Sequence, residues 1–154
     1  MESKILSLNI TMPWTHGGQP VDQLPDDCVG FVYVITNITN GRMYIGKKLA
    51  KFKTTRYKMH TQKNGKKVRK KIRGAVDSGW QDYYGSSNEL NNDIQSLGRD
   101  KFTREILYYC RSKAECNYIE AREQFRRQVL ESDRYYNGHI RVRVHGPIKI
   151  ENNK

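Results

Sequence analysis

The residues best suited to chemistry are two tyrosines, Tyr33 and Tyr44, which stand eleven positions apart in two apolar segments. A phenol ionises with a pKa near 10, so it is a poor base at neutral pH unless its surroundings change. Neighbouring positive charge makes the phenolate more accessible, and Lys47 and Lys48 follow the second tyrosine closely. The pattern indicates a site that handles protons or an anionic group.

The segment that contains both tyrosines, GFVYVITNITNGRMYIG, is predicted to form a β-hairpin. Apolar or aromatic residues fill both alternating sets of positions in its first arm. Asn40 and Gly41 are the residue types that adopt the positive φ angles of a tight turn. Because both faces of the hairpin are apolar, we expect its strands to be central or covered on both sides.

A strongly basic segment follows the hairpin, from Lys47 to Arg73. Thirteen of its 27 residues are Lys or Arg, and no acidic residue occurs between Asp27 and Asp77. The whole chain has a net charge of +12, which favours a polyanionic partner and nucleic acid above all. We expect this segment to bind phosphates. The candidate nucleic-acid-binding residues are Lys47, Lys48, Lys66, Lys67, Arg69, Lys70, Lys71 and Arg73.

Two helices and a third strand are predicted after the basic segment. The stretch SSNELNNDIQSLG has a capping box at Ser86 and Glu89 and a terminating Gly98. KFTREILYYC is predicted to be a strand. The stretch SKAECNYIEAREQFRRQVLES repeats the capping box at Ser112 and Glu115, which indicates a second helix.

The apolar residues of the second helix recur at three- and four-residue spacing, which predicts the face that it buries. This stripe consists of Tyr118, Ala121, Phe125 and Val129. The alternating segment HIRVRVHG predicts a final short edge strand. The order of elements predicts an α+β fold, with a small, mainly antiparallel sheet of about three strands flanked by helices.

The hairpin resembles the signature of the GIY-YIG nucleases. Tyr33 and the Tyr44-Ile45-Gly46 triplet match the signature, whereas Phe31 and Val32 stand where that family usually has Gly and Ile. Over roughly residues 30–140, the segments FVYVITN, NGRMYIGKK, DYYGSS and EAREQF are similar to a branch of small phage-borne Seg-like homing endonucleases.

This resemblance implies an endonuclease that hydrolyses DNA phosphodiester bonds with a divalent metal, Mg²⁺ or Mn²⁺. One of Tyr33 and Tyr44 would polarise or deprotonate the attacking water and the other would orient the phosphate, in either assignment. Glu123 aligns with the metal-binding glutamate of the family, and Asn137 with a site asparagine. One carboxylate can hold Mg²⁺ when waters and substrate oxygens complete the octahedron.

The resemblance also implies a catalytic arginine on a helix after the YIG triplet, followed four residues later by a histidine or tyrosine. The segment RYKMH supplies Arg56 and His60 at this spacing, which shares one face of a helix. The Asn64-Gly65 pair favours a β-ribbon instead. In a ribbon, Arg69 or Arg73 would be alternative sources of the guanidinium.

Several of these residues also have purely structural interpretations. Glu120 lies on the same helix as Glu123 and competes with it for the metal-binding role. Ser86 and Ser87 either begin a helix or bind a phosphate at its N-terminus. The main alternative function is a catalytically inactive nucleic-acid-binding module, and a third is an interaction protein of a membrane surface or the ribosome. RNA remains an alternative substrate, because cations read phosphates without reading sugars.

The domain organisation predicted from composition has three parts. Residues 1–29 are an N-terminal extension, residues 30–145 the nuclease-like domain with its basic insert 47–73, and residues 146–154 a C-terminal tail. The three cysteines lack the spacing of a zinc site or a disulfide framework, which favours a reducing compartment. We expect a cytoplasmic protein (in the host cytoplasm, if phage-encoded) without a membrane segment.

Overall fold

A computed structural model describes residues 12–150 of the chain. Five strands form one sheet, two longer strands form a separate ribbon, and two α-helices pack on the sheet. The strands are β1 (Trp14–His16), β2 (Gln19–Pro20), β3 (Gly30–Asn37), β4 (Met43–Leu49), β5 (Lys51–Thr61), β6 (Lys67–Asp77) and β7 (Phe102–Cys110). The helices are α1 (Asn88–Leu97) and α2 (Lys113–Arg126), with short 3-10 turns at Trp80–Asp82 and Arg99–Lys101.

The main sheet has the strand order β2-β1-β7-β3-β4 and is mixed, because β1 runs parallel to β7 while the other pairs are antiparallel. The predicted α+β class is confirmed, but the main sheet has five strands and not about three as predicted. The two additional strands come from residues 14–20. They are too short to show an alternating pattern in the sequence, and Trp14 ties them to the core through an indole N–H that donates to the Trp80 carbonyl at 2.9 Å.

The predicted hairpin consists of β3 and β4, with Tyr33 opposite Gly46 and Ile35 opposite Tyr44. The turn between them contains one positive φ angle, 77° at Gly41, whereas the Asn40 side chain accepts from the Arg42 N–H at 2.9 Å. Strand β3 lies between β7 and β4 and is buried on both faces, as predicted, whereas β4 is an edge strand and mostly half-buried, so the prediction holds for β3 only. Its two faces pack on α1 and α2 respectively.

Both helices begin at a serine cap. The hydroxyl of Ser87, one position after the predicted cap, accepts from the Leu90 N–H at 3.3 Å and starts α1. Helix α1 ends at Gly98, as predicted. Ser112 caps α2 by accepting from the Glu115 N–H at 3.0 Å, which confirms that prediction.

The buried face of α2 matches the predicted stripe only in part, because only Ala121 and Val129 of its residues are buried. Tyr118 and Phe125 are exposed, the latter by 63%, whereas Cys116 and Ile119 are fully buried against the sheet. Two polar residues at the end of the helix are also buried, so apolar spacing alone misjudged how the helix is rotated about its axis.

Residues 137–145 form no strand, so the predicted edge strand HIRVRVHG was wrong.

The basic segment forms an antiparallel ribbon of two eleven-residue strands, β5 and β6. Gly65 takes a φ of 81° in the connecting turn, and the Asn64 side chain accepts from the Lys66 N–H at 3.0 Å. The ribbon alternative is therefore correct and the helical interpretation of RYKMH was wrong. Nearly all ribbon side chains are exposed.

A buried cation joins the sheet to the loop before α1. Arg104 is 1% exposed, and its guanidinium donates to the carbonyls of Gln81 at 2.8 Å, Tyr83 at 2.9 Å and Met12 at 2.6 Å. It also lies 4.1 Å from the centre of the Tyr84 ring, and burial lowers its pKa. These contacts fix the loop that carries Tyr83 against the hairpin.

Neither helix within residues 12–150 is long and apolar enough to cross a membrane.

Candidate active site

A cleft of about 380 Å³ opens beside β4, the edge strand of the main sheet. Its walls come from β4, the start of α1, one face of α2 and residues 136–141. The edge of β4 is partly closed by the chain after α2, because the Tyr136 N–H donates to the Met43 carbonyl at 2.8 Å. The cleft therefore lies where the signature hairpin meets the glutamate-bearing helix.

Tyr44 lines this cleft directly. Its hydroxyl lies 3.0 Å from the Ser86 hydroxyl, and its ring centre is 6.2 Å from that of Tyr33. Burial raises the pKa of the Tyr44 phenol, although the hydrogen bond with Ser86 opposes that shift. At neutral pH the hydroxyl is therefore protonated, and it can donate a hydrogen bond to an anionic oxygen in the cleft.

Tyr33 lies behind Tyr44 and is fully buried. Its ring contacts Tyr83, with ring centres 6.0 Å apart, and Trp14, with ring centres 5.3 Å apart. Burial raises the pKa of Tyr33 well above 10, and Tyr83 and Tyr44 add to the shift. The sequence suggested that nearby lysines would favour the phenolate, but burial dominates and favours the neutral phenol.

The buried phenol of Tyr33 gives the protein a predictable response to alkaline pH. The pKa of Tyr33 in the folded state lies above the unfolded value near 10. The contribution of the neutral phenol to the unfolding free energy is therefore complete below pH 10 and is lost as the pH rises through the folded-state pKa. One such group steepens the fall of the unfolding free energy by up to about 1.4 kcal/mol per pH unit. Tyr33→Phe should remove that contribution in urea denaturation between pH 9 and 11. Equal slopes for wild type and Tyr33→Phe would contradict this explanation.

The carboxylate that reaches the cleft belongs to Glu120. Its Oε1 lies 3.7 Å from Lys47 Nζ, and the same ammonium group donates to the side-chain oxygen of Asn117. Burial raises the pKa of Glu120, and Lys47 lowers it in part. The Glu120 charge also raises the pKa of both Tyr33 and Tyr44, so the two phenols and this carboxylate share one electrostatic environment.

Glu123, the predicted metal-binding residue, does not line the cleft. Its Oε1 lies 3.3 Å from Arg126 Nη1 and its Oε2 lies 3.3 Å from Arg127 Nε, in a side chain that is 5% exposed. Residues three positions apart on a helix point about 60° apart around its axis. The packing of α2 therefore directs Glu120 into the cleft and leaves Glu123 in ion pairs on its own helix.

Two amide side chains secure the wall of the cleft. Asn137 pairs with the backbone of Ile45 in both directions, accepting from its N–H at 3.0 Å and donating to its carbonyl at 2.8 Å. The Ile45 carbonyl also accepts from Gln124 Nε2 at 3.1 Å. Asn137 thus lines the predicted site, but both ends of its amide are occupied by the edge strand.

The residues of the cleft fit a divalent cation. Within residues 12–150 no three His, Cys, Asp or Glu side chains form a metal-binding cluster. However, Gln124 Oε1 is buried without a hydrogen-bond partner among the described residues, and Gln124 lies one helical turn after Glu120 on the same cleft wall. A carboxylate beside an unpaired amide oxygen suits Mg²⁺, which often takes few protein oxygens and keeps several waters.

Arg56 and His60 lie away from this cleft, on the outer part of β5. They pair with Ile72 and Val68 of β6. Arg56 stands five residues beyond Lys51, which places it about 17 Å along the ribbon from its base. The two alternative arginines, Arg69 and Arg73, are on β6 of the same ribbon. None of the three arginines proposed from the sequence lines the cleft.

His139 and Arg141 line the cleft instead, and sequence reasoning missed both. They belong to HIRVRVHG, in which the alternation of Arg and Val suggested a strand and concealed any other role. The available signal was their position, two and four residues after Asn137.

Of the two lysines after the YIG triplet, Lys47 faces the cleft, whereas Lys48 Nζ lies 4.2 Å from the centre of the Tyr83 ring on the other face of the sheet.

A family model described as "Putative endonuclease segE, GIY-YIG domain" matches residues 14–140. The match includes the main sheet, both helices, the ribbon and the cleft up to residue 140. No curated protein and no solved structure matches the chain.

Proposed function

The chain belongs to the Seg-type GIY-YIG endonuclease family, and we propose that it hydrolyses DNA phosphodiester bonds in the cleft beside β4 with Mg²⁺ or Mn²⁺. The observation that carries this proposal is the convergence of Tyr44, Glu120 and Lys47 on one cleft. Those residue types bind and polarise a phosphodiester. Family membership also supports the biological role that we propose, that of a phage homing endonuclease.

The metal would be held by the Glu120 carboxylate, with the unpaired amide oxygen of Gln124, one helical turn further along α2, as a second protein oxygen. Bound there, the ion would supply Lewis-acid polarisation of a phosphoryl oxygen and would stabilise negative charge on the departing oxygen. The ammonium group of Lys47 lies beside Glu120. It holds the Glu120 side chain in place and attracts the phosphate. In the net reaction, water supplies a hydroxyl group to phosphorus and a proton to the departing sugar oxygen.

Tyr44 is the phenol that contacts substrate, because it lines the cleft and is protonated at neutral pH. It would donate a hydrogen bond to the phosphate or to the attacking water. Tyr33 is a positioning residue in this proposal, since it is buried behind Tyr44 and holds its ring. We therefore propose this division of roles between the two tyrosines, whose assignment the sequence left open.

Arg141 takes the role that the sequence assigned to Arg56, that of a guanidinium on the phosphate. We expect Arg141→Ala to lower the rate of cleavage by about 10²–10³-fold, as for the loss of one group that stabilises transition-state charge. Arg143→Ala removes the same charge two residues later, from a side chain that does not line the cleft, and should change the rate less than about threefold. Plasmid-nicking rates under saturating enzyme measure both effects, and equal losses would contradict the assignment.

The function is tested by incubating supercoiled plasmid with the purified protein in Mg²⁺, in Mn²⁺ and in EDTA. We expect nicked or linear products with either metal and none in EDTA. Glu120→Gln, purified identically, controls for a contaminating nuclease. Absence of products at every protein concentration, with DNA binding retained, would instead support the inactive binding module. Equal cleavage by wild type and Glu120→Gln would also overturn the proposal.

A further inference from the structure

We propose that the β5–β6 ribbon enters the major groove of duplex DNA with one of its two faces directed at the nucleic acid. This inference rests on the proposed function for its substrate, DNA, and adds the form of DNA and the surface that recognises it. The observations that carry it are the unequal distribution of charge between the two faces of the ribbon, its dimensions and its exposure.

The two faces of the ribbon follow from its register, because directly paired residues of an antiparallel ladder lie on the same face. Six of the nine Lys and Arg residues of the two strands share one face, termed here the cationic face: Lys51, Lys53, Lys67, Arg69, Lys71 and Arg73. The opposite face, termed the apolar face, has three: Arg56, Lys58 and Lys70. It also carries Phe52, Val68, Ile72 and Val76.

The cationic face also presents groups suited to bases. Tyr57 lies on it, with the Arg69 guanidinium 3.9 Å from the centre of its ring. Both side chains remain largely exposed, so this stacked pair is accessible to a ligand. Arg and Lys are the side chains that most often contact guanine edges in the major groove.

The cations of the ribbon are available to phosphates. Among the described residues, none of them forms an ion pair with an acidic side chain, and the one acid of the two strands is Asp77 at the base. The Asp77 carboxylate accepts from the Gly79 N–H at 2.7 Å. Ribbon cations free of acidic partners gain more from binding a polyanion than cations already paired within the protein.

The dimensions of the ribbon select the form of nucleic acid. Eleven residues extend about 36 Å, close to the 34 Å of one turn of B-form DNA. A two-stranded ribbon fits the major groove of B-form DNA, which is about 12 Å wide. The major groove of A-form RNA is too narrow for side chains to read. The ribbon therefore fits duplex DNA and not duplex RNA.

Two triple variants test the choice of face with an identical change in charge. Lys67→Gln, Arg69→Gln and Lys71→Gln remove two lysines and one arginine from the cationic face. Arg56→Gln, Lys58→Gln and Lys70→Gln remove the same residue types from the apolar face. Affinity for a fluorescent 20-base-pair duplex is measured in EDTA across a range of KCl concentrations. Thermal unfolding checks that both variants fold.

The slope of log K against log[KCl] is negative, and the cationic-face variant should reduce its magnitude by about 3, whereas the apolar-face variant should reduce it by less than about 1. Equal losses, or the reverse order, would overturn the inference. With wild-type protein, duplex RNA of the same sequence should compete at least about tenfold more weakly than DNA, since its major groove excludes the ribbon. Equal competition would exclude insertion into the major groove.

Dimethyl sulfate footprinting locates the groove without any variant. It methylates guanine N7 in the major groove and adenine N3 in the minor groove, so bound protein should protect N7 and leave N3 reactive. The reverse pattern would refute the proposal.

None of these binding measurements requires DNA cleavage. A clear difference between the faces without plasmid cleavage would reject only the nuclease activity, and cleavage with no difference between them would reject only the inference.

Discussion

Glu120→Gln is expected to lower DNA cleavage by about 10²–10³-fold, because it weakens binding of the metal ion that would stabilise transition-state charge. Glu120 is the carboxylate that faces the cleft, and its charge acts on both tyrosines. Glutamine keeps the size and one oxygen of the side chain but removes the negative charge. DNA affinity in EDTA should not fall, because the variant removes a charge that repels phosphates.

Glu123→Gln is the matched control on the same helix. It removes the charge of a buried carboxylate that pairs with Arg126 and Arg127, so it should cost about 1–3 kcal/mol in unfolding free energy. Cleavage per folded molecule should stay within about threefold of wild type, since Glu123 does not line the cleft. Single-turnover plasmid cleavage and urea denaturation measure the two quantities. Loss of cleavage in Glu123→Gln with retention in Glu120→Gln would restore the role that the resemblance assigned to Glu123.

Gly46→Ala is expected to disable the site by displacing both phenols. A Cβ at this position would lie 2.5 Å from Tyr33 Oη, 2.7 Å from Tyr33 Cζ and 2.9 Å from Tyr44 Cε1. The Tyr33 ring has little room to move, because Trp14 and Tyr83 pack against it. We expect overpacking to cost about 1–3 kcal/mol in unfolding free energy. Cleavage should fall by about 10²-fold, as when reacting groups are misplaced by about 1 Å.

Gly138→Ala is the control for Gly46→Ala, because it adds the same methyl group at the cleft where no atom lies within 4 Å. It should leave stability and cleavage near the wild-type values. The double variant Gly46→Ala with Tyr33→Leu removes the two closest clashing atoms and should be more stable than the sum of the two single effects predicts. Urea denaturation measures this coupling. Additive effects would show that Gly46 does not make room for the Tyr33 ring.

Local patterns predicted much of the fold. The β3–β4 hairpin, the Ser112 cap, the end of α1 at Gly98 and the turn at Gly65 each depend on neighbouring residues, and each is present in the structure. The prediction that β3 is covered on both faces also followed from its own composition. Failures occurred where a pattern was short, as in residues 14–20, or fitted two structures equally well, as in RYKMH.

The structure brings some of the predicted site residues to the cleft and leaves others outside it. Tyr44 lines the cleft and Tyr33 packs behind it, because their places on the hairpin are set by alternation along the strands. The choice between Glu120 and Glu123 depends on the rotation of α2. That rotation is set by Cys116 and Ile119 packing on the sheet, and no residue of the helix alone reveals it.

The sequence by itself determined most of the elements, the two phenols of the hairpin, the charge of the ribbon and the family. Only the tertiary structure decided which glutamate and which arginine stand beside Tyr44. Spacing along a chain defines a side chain's direction relative to its own helix or strand. The approach of Glu120 and Arg141 to β4 depends instead on contacts between elements that are distant in sequence. Those contacts arise only when hydrophobic burial and the pairing of Ile45 with Asn137 and Gln124 bring the elements together.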